Sequence, residues 1–318
     1  MRNHLRNSIA ALNLGTFLLC GSAALRADEP TPHAPMSSPF GGRTQQVQPA
    51  PEVGTALAEL VKKGATMEEI ARLRDPVANT PAEALYALKA GNARFYGGMA
   101  RRPEVSANER RAQILSQTPF AVVLGCADSR VPTEIVYDQG LGSIFSIRVA
   151  GNIVEPGTLG SVEYAVNHLK SHIVVIMGHE GCGAVKAAML PAAQRNAESD
   201  HVRFLLNSIE PSLRDLPKIR DEKARMREAV ISNVRLQVYL LKQNPVVEKA
   251  IKSGKIIVVG AFYEIGSGAV DFLETAGELR LSPVELKALS QQVRSSAQGH
   301  SHVAAVGRPK ATATTGHH

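Results

Sequence analysis

Two runs of apolar residues, each ending in glycine, constrain the fold of this chain more than any other feature. Phe120–Leu124 is an unbroken run before Gly125, and Ile173–Met177 is another before Gly178. Continuous apolar runs of this length are typical of strands that are buried on both faces, as in a parallel sheet covered by helices. The two runs therefore predict the centre of an α/β fold.

Further strands and helices are predicted around these two runs in an alternating order. Apolar patterns predict strands over Ser143–Val149 and Ile256–Val259, and helical periodicity covers Leu159–Leu169 and Glu222–Gln243. Strands that alternate with helices indicate a sheet that is wound mainly in parallel. We therefore predict an α/β fold with a mainly parallel β-sheet flanked by helices, in which Ile256–Val259 is the last strand.

The folded domain is predicted to span residues 77–294. Residues 80–83 read Thr-Pro-Ala-Glu, a capping box with proline at the first helical position, and predict a helix from Pro81 to about Tyr96. After about Arg294 the chain is rich in Ser, Ala, Gly and Thr and carries four histidines, which predicts a disordered tail over residues 295–318.

The first 27 residues have the order of a secretory signal peptide. Arg2 and Arg6 precede an apolar stretch, and small residues lead to Ala27. This stretch is shorter than the ~20 apolar residues that span a bilayer, so we expect cleavage and no stable membrane anchor. Residues 28–76 follow as a flexible leader that contains two short helical patterns, Val53–Lys63 and Met67–Arg74.

The net charge argues against several classes of partner. The formal charge of +7 becomes 7 − 3 = +4 when Arg2, Arg6 and Arg26 are removed with the signal peptide. A charge this small, with no run of Lys and Arg, argues against nucleic acid or an anionic membrane as the main partner. Aromatic residues make up only 4% of the chain, which also argues against stacking on nucleic acid bases.

Chemically reactive side chains follow both central strands. Residues 125–130 read Gly-Cys-Ala-Asp-Ser-Arg, and residues 178–183 read Gly-His-Glu-Gly-Cys-Gly. Ligands collect where the carboxyl ends of parallel strands meet. Two thiolates and one imidazole suit Zn²⁺, and three protein ligands leave a fourth position for water, as in catalytic zinc sites.

The four glycines of these segments are expected to permit tight turns and the close approach of a small ligand. They are Gly125, Gly178, Gly181 and Gly183. Gly183 is also expected to begin the following helix, so that its amide faces a bound anion.

A disulfide between Cys126 and Cys182 is the main alternative to a metal site. An exported chain enters a compartment in which disulfides persist. The disulfide leaves His179, Asp128 and Arg130 without a role. A non-catalytic binding protein with this disulfide therefore remains open beside a catalytic zinc site.

The order of these motifs resembles the signature of the β-class carbonic anhydrases. Cys-x-Asp-Ser-Arg is followed about fifty residues later by His-x-x-Cys, and the match extends from about Thr80 to Leu273. Phe145-x-x-Arg148-x-x-x-Asn152 and the segments 163–166 and 260–263 also match. The resemblance implies a zinc enzyme that hydrates CO₂ reversibly to bicarbonate and a proton by a metal-bound hydroxide. It also implies a homodimer or higher homo-oligomer, and export in a bacterium implies a periplasmic location.

The same resemblance assigns roles to individual residues. It implies one zinc ion per chain, with Cys126, His179 and Cys182 as its ligands. Asp128 and Arg130 are implied as the catalytic pair, with Asp128 as a fourth ligand in a closed form of the site. Substrate-binding roles are expected for four residues: Gln117, Phe145, Tyr164 and Gly183.

Val123 departs from the pattern of the members that bicarbonate regulates. Those members have tryptophan three residues before the first zinc cysteine, although Gly125 and Tyr263 match other positions of their regulatory site. The plant-like, permanently open subclass is therefore the better match. Ala150, where plant-like members usually have valine, suggests a roomier pocket. An enzyme on the same scaffold that hydrolyses carbon disulfide or carbonyl sulfide is the nearest alternative function.

Overall fold

The computed structural model describes residues 78–101, 117–273 and 279–299, together with the single positions 63, 110, 113 and 114. The predicted signal peptide, nearly all of the predicted leader with its two helical patterns, and residues 300–318 of the predicted tail lie outside these ranges. Within the described ranges, no helix has the length and apolar character needed to cross a membrane.

A five-stranded sheet forms the centre of the described domain. Its strands are β1 (Ala121–Gly125), β2 (Ile144–Arg148), β3 (Ile173–His179), β4 (Ile257–Tyr263) and β5 (Val270–Leu273). Their spatial order is β2-β1-β3-β4-β5, and every neighbouring pair is parallel except β4 and β5. The predicted α/β fold with a mainly parallel sheet is confirmed.

The prediction that Ile256–Val259 is the last strand is wrong in two respects. The strand continues to Tyr263, and β5 follows it as the second strand of an antiparallel hairpin. β5 has only four residues and lies at the sheet edge, where none of its residues is fully buried. A short, partly exposed edge strand leaves no continuous apolar run to detect.

Helices cover both faces of the sheet. The described ranges contain α1 (Pro81–Tyr96), α2 (Thr133–Val136), α3 (Pro156–Tyr164), α4 (Gly183–Ala188), α5 (Ala192–Asn196), α6 (Asp200–Ile209), α7 (Glu222–Lys242), α8 (Pro245–Lys252) and α9 (Pro283–Gly299). Val122 and Leu124 of β1 pack in the layer that contains α7, whereas Val123 packs in the layer that contains Leu88 of α1. All residues of β1 and β3 are buried, which explains their unbroken apolar sequences.

Capping residues determine where two of the predicted helices begin. They explain why one predicted start is confirmed and the other is wrong. Thr80 accepts a hydrogen bond from the Glu83 amide at 3.2 Å, so α1 begins at Pro81 as predicted. α3 begins three residues before the predicted Leu159, because the Glu155 carboxylate caps its first turn. The helical path then continues through one π-helical turn to Leu169.

The C-terminal boundary predicted at Arg294 is also too early. α9 begins at Pro283 and continues to Gly299, five residues into the predicted tail. The residues that follow Arg294 are Ser-Ser-Ala-Gln, all of which a helix accommodates, whereas glycine is typical of a helix end.

α7 packs directly on two glycines of the sheet. A Cβ atom at Gly178 would lie 2.5 Å from Val230 Cγ1 and 2.7 Å from Val234 Cγ2. A Cβ atom at Gly260 would lie 2.8 Å from Val234 Cγ1. The expectation that Gly178 serves a turn or a ligand is therefore wrong, because this residue lies within β3 and lets α7 approach the sheet.

Candidate metal centre

Cys126, His179 and Cys182 are brought together at the carboxyl ends of two neighbouring strands. Cys126 follows β1, His179 is the last residue of β3, and Cys182 is the N-cap residue of α4. β1 and β3 are paired in parallel, so their carboxyl ends lie side by side. The two sulfur atoms and a ring nitrogen all lie within 4.8 Å of one another, and all three residues are buried.

The orientation of His179 leaves one ring nitrogen facing this cluster. Its Nδ1 lies 2.9 Å from the backbone oxygen of Glu180. A carbonyl oxygen can only accept, so Nδ1 carries the proton and Nε2 has a free lone pair. Nε2 is buried and has no hydrogen-bond partner among the described residues. A buried nitrogen without a partner is costly unless a metal ion or another ligand binds it.

The cysteines are separate thiols rather than a disulfide. The hydrogen bond between them lowers the pKa of the Cys126 thiol and raises that of Cys182, because the pair shares one negative charge when no cation is present. The backbone N–H of Gly151 also donates to Cys126 Sγ at 3.4 Å. A thiolate is the form of cysteine that binds a metal, and a divalent cation would stabilise both.

The donor set fits zinc and leaves one position open. Two sulfur atoms and one imidazole nitrogen match the ligand preferences of Zn²⁺, whose protein sites are usually tetrahedral. Asp128 borders the cluster as well, since its Oδ2 lies 3.9 Å from His179 Nε2.

Asp128 is held in a bidentate pair with Arg130. Arg130 Nε donates to Oδ1 at 2.9 Å, and its Nη2 donates to Oδ2 at 2.7 Å. These hydrogen bonds hold the pKa of the Asp128 carboxyl well below its usual range. The carboxylate is therefore ionised at neutral pH, and both of its oxygens are engaged by Arg130.

Arg148 supports the loop that carries Cys126 and Asp128. Its Nε donates to the backbone oxygen of Cys126 at 3.0 Å, and its Nη2 donates to the backbone oxygen of Asp128. The sequence singled out Arg148 only as part of the family resemblance and gave it no role. Its partners are backbone atoms about twenty residues away, for which no local pattern exists.

Two buried polar residues of α7 support the segment after β2, and the sequence gave no sign of them. Asn233 donates to the backbone oxygen of Gly151 at 2.9 Å, and Gln237 accepts from the Val154 amide at 2.8 Å. Gly151 has a positive φ of 74°, and a Cβ atom there would lie 2.5 Å from Ile209 Cδ1. α7 thereby positions the amide that donates to Cys126.

The expected substrate-binding residues fall into two separate groups. Gly183 begins α4 as predicted, and it directly follows Cys182 of the candidate metal centre. Gln117, in contrast, lies before β1, and Cys126 follows its opposite end, about 16 Å farther along the strand. Gln117 and Tyr164 line one open cleft, and the rings of Phe145 and Tyr164 lie 6.2 Å apart.

The structure does not bring that second group to the candidate metal centre of the same chain. Tyr164 is 48% exposed, and its ring lies 5.1 Å from that of His168, which also lines the cleft. The sequence did not identify His168, although it lies one helical turn after Tyr164.

The fold and the site define a class of protein. A mainly parallel α/β sheet carries two thiols, one imidazole nitrogen without a partner and an adjacent carboxylate at its strand ends, and this donor set is one that could hold a metal ion, as in the α/β metalloenzymes.

Comparisons with known proteins identify the family. The family model described as carbonic anhydrase matches residues 121–270. Carbonic anhydrase 2 of Mycobacterium tuberculosis is 36% identical over 200 residues, which cover 63% of this chain and 96% of that protein. The carbonic anhydrase of Mycolicibacterium smegmatis is 35% identical over 202 residues, which cover 63% and 97%.

A solved structure agrees with these relatives. A tetrameric β-carbonic anhydrase from Sordaria macrospora superposes with a TM-score of 0.50 at 29% identity, over 60% of this chain and 96% of its own. The chain belongs to the carbonic anhydrase family, and within it to the β class. Its activity is the reversible hydration of CO₂ to bicarbonate and a proton.

Proposed function

We propose that this enzyme binds one zinc ion per chain through Cys126, His179 and Cys182 and hydrates CO₂ at that centre. The observation that carries the proposal is the buried Nε2 of His179, which has no partner among the described residues and faces two free thiols. Zinc bound by these three residues would supply a nucleophile at neutral pH, because it would lower the pKa of a water molecule that it binds.

Asp128 orients the attacking oxygen. Its carboxylate lies beside the cluster, where it would accept a hydrogen bond from the oxygen that attacks CO₂ and so direct a lone pair of that oxygen toward the substrate. Arg130 keeps this carboxylate ionised and engages both of its oxygens, which would keep Asp128 from binding the metal itself. The Gly183 amide lies beside Cys182, where it can donate to an oxygen of the product.

We further propose that a second copy of the chain completes the substrate pocket. Gln117 lies at the amino end of β1, whereas the proposed metal ligands lie at the carboxyl ends of β1 and β3. If Gln117, Phe145 and Tyr164 bind substrate, they serve the metal centre of a partner subunit. The exposure of Tyr164 and the edge position of β2 are consistent with a homodimer or a higher homo-oligomer.

Metal analysis tests the first proposal. The purified chain should contain about one zinc per subunit and give free thiols at Cys126 and Cys182 once the metal is removed. His179→Ala should lose zinc and CO₂ hydration together, because two ligands hold zinc poorly against water. His201→Ala is a matched control, since His201 is exposed on α6. Full zinc occupancy with normal turnover in His179→Ala would exclude the site.

A complementation experiment tests the shared pocket. Cys126→Ala chains lack the metal centre, and Gln117→Ala chains lack the expected bicarbonate contact. In a mixed dimer, one of the two pockets combines an intact metal centre with an intact Gln117. Co-expression should therefore restore more CO₂ hydration than the two separate preparations give together. Activity equal to their sum would show that Gln117 does not act across an interface.

Export and subclass are also proposals. The signal-like order of residues 1–27 supports cleavage near Ala27 and a periplasmic location, and Val123 supports the permanently open subclass. N-terminal sequencing of the protein from a fractionated native host should give a start near Asp28 in the periplasmic fraction. Met1 in the cytoplasmic fraction would refute export.

A further inference from the structure

Glu180 connects the metal ligand His179 to the surrounding structure through its backbone. Its carbonyl oxygen accepts the Nδ1 hydrogen of His179 at 2.9 Å, which determines the ring nitrogen that faces the cysteines. Its amide donates to the backbone oxygen of Tyr263 at 2.8 Å, which continues the pairing of β3 with β4. The imidazole is therefore oriented by the peptide group between residues 180 and 181.

That peptide group has little other support on its C-terminal side. Gly181 has a φ of 65°, and a Cβ atom there would meet no atom within 4 Å. Glycine populates positive and negative φ almost equally, so this residue alone does not prevent the peptide from rotating. Rotation would turn the Glu180 carbonyl away from Nδ1 and remove the restraint on the ring.

The Glu180 carboxylate anchors the same residue to two other elements. Its Oε2 accepts from the Gly266 amide at 3.0 Å, in the turn between β4 and β5. Its Oε1 pairs with Lys223 Nζ of α7 at 3.0 Å. The turn is itself held by Asn92 of α1, which donates to the Gly268 oxygen at 2.9 Å. The carboxylate thus joins the end of β3 to the turn between β4 and β5 and to α7.

We propose that Glu180 is a positioning residue of the metal centre. Its carboxylate bridge from Gly266 to Lys223 holds the 180–181 peptide so that His179 stays protonated at Nδ1 and presents Nε2 to the metal. The inference rests on the proposed zinc site. Substitution of a residue that hydrogen-bonds to a metal ligand typically lowers metal affinity by about 10–100-fold. Because Glu180 acts through its backbone, we expect an effect at the lower end, about tenfold.

Two substitutions separate the parts of the bridge. Glu180→Ala removes both contacts, whereas Glu180→Gln retains an oxygen that can accept from Gly266 and loses the ion pair with Lys223. Glu248→Ala is the matched control, because it removes an ion pair on α8 at 2.6 Å whose lysine, Lys252, is as exposed as Lys223. Lys223 and Lys252 are both 73% exposed in their side chains, so neither pair contributes much to global stability.

The first measurement is the rate at which the full-length zinc protein releases its metal to a chelator. We expect release about tenfold faster in Glu180→Ala, an intermediate rate in Glu180→Gln, and the parent rate in Glu248→Ala. Equal rates in Glu180→Ala and the parent would overturn the proposal. Equal acceleration in Glu180→Ala and Glu248→Ala would also overturn it, because the effect would then be general destabilisation.

The second measurement is ¹⁵N-detected NMR of the histidine rings in the zinc-free protein. The parent should show His179 as a single Nδ1–H tautomer, and Glu180→Ala should show a second tautomer. A single unchanged tautomer would overturn the proposal even if zinc release changed. If Glu180→Ala does not fold, the same two readings on Glu180→Gln decide the outcome. A parent protein that binds no zinc would instead refute the proposed function, while the tautomer measurement would still test the role of Glu180.

Discussion

A single methyl group added at Gly178 is expected to separate α7 from the sheet. In Gly178→Ala the new Cβ would lie 2.5 Å and 2.7 Å from methyl groups of Val230 and Val234, well inside van der Waals contact. α7 carries ten buried residues and cannot move away freely. Overpacking of this kind costs about 1–3 kcal/mol. For a domain of this size, that cost lowers the melting temperature by roughly 2–12 °C.

Thermal unfolding of the zinc-loaded protein, followed by circular dichroism, measures this effect. Gly160→Ala is the control, because Gly160 lies in α3 and a Cβ atom there meets nothing within 4 Å. It should raise the melting temperature slightly, since alanine favours helix by up to ~1 kcal/mol over glycine. Adding Val230→Ala to Gly178→Ala removes one of the clashing methyl groups, so the double substitution should cost less than the sum of the two single costs.

Two results would refute this reasoning about Gly178. A melting temperature of Gly178→Ala equal to that of the parent would show that α7 does not require the glycine. Strict additivity with Val230→Ala would show that the two residues do not contact each other. A raised KM for CO₂ without any loss of stability would instead support the original expectation that Gly178 lets a ligand approach.

Three further outcomes concern the site. Asp128→Asn should retain zinc but hydrate CO₂ at least about tenfold more slowly in stopped-flow assays, because its amide can donate to the attacking oxygen and misalign it; parental turnover would remove Asp128 from the mechanism. Arg130 holds the pKa of Asp128 below its unfolded value, so the carboxylate stays charged as the pH falls. In Arg130→Ala the Asp128 carboxylate should lose its charge at a higher pH than in the parent. The ratio of activity at pH 5 to activity at pH 8 should therefore be lower than in the parent or in the surface control Arg203→Ala. Superimposable pH profiles would contradict this. Because Val123 has no indole to shape a second anion site, bicarbonate should inhibit with a Hill coefficient of one; a coefficient clearly above one would show that the regulatory switch is retained.

The strands that could be predicted most clearly from the sequence are those whose residues are all buried. β1 and β3 are covered on both faces, so their sequences are continuously apolar and reveal both the strands and the sheet type. The three residues of the candidate metal centre could be predicted because they lie at the ends of those strands or shortly after them. β5 was not predicted because it is an edge strand of four residues, none of which is fully buried.

The unpredicted part depends on contacts between distant residues. Arg148 and Asn233 both act on backbone oxygens that lie 20 or more residues away, and an arginine or asparagine has no spacing that encodes such a contact. Gln117 shows another limit. The family resemblance assigns Gln117 a role in substrate binding. Only the structure of the sheet shows that Gln117 and Cys126 lie at opposite ends of one strand.

The strand order of the sheet has a consequence for how the chain folds and acquires metal. β1 is the first strand along the chain but lies between β2 and β3, so it gains both neighbours only after residue 173 has been synthesised. Such non-local pairing raises the contact order and slows folding. The thiol of Cys126 meets His179 only when β3 has docked beside β1. The proposed zinc ion would therefore enter a largely assembled sheet. The metal-free chain should accordingly be folded, with zinc as a late addition that raises its resistance to unfolding.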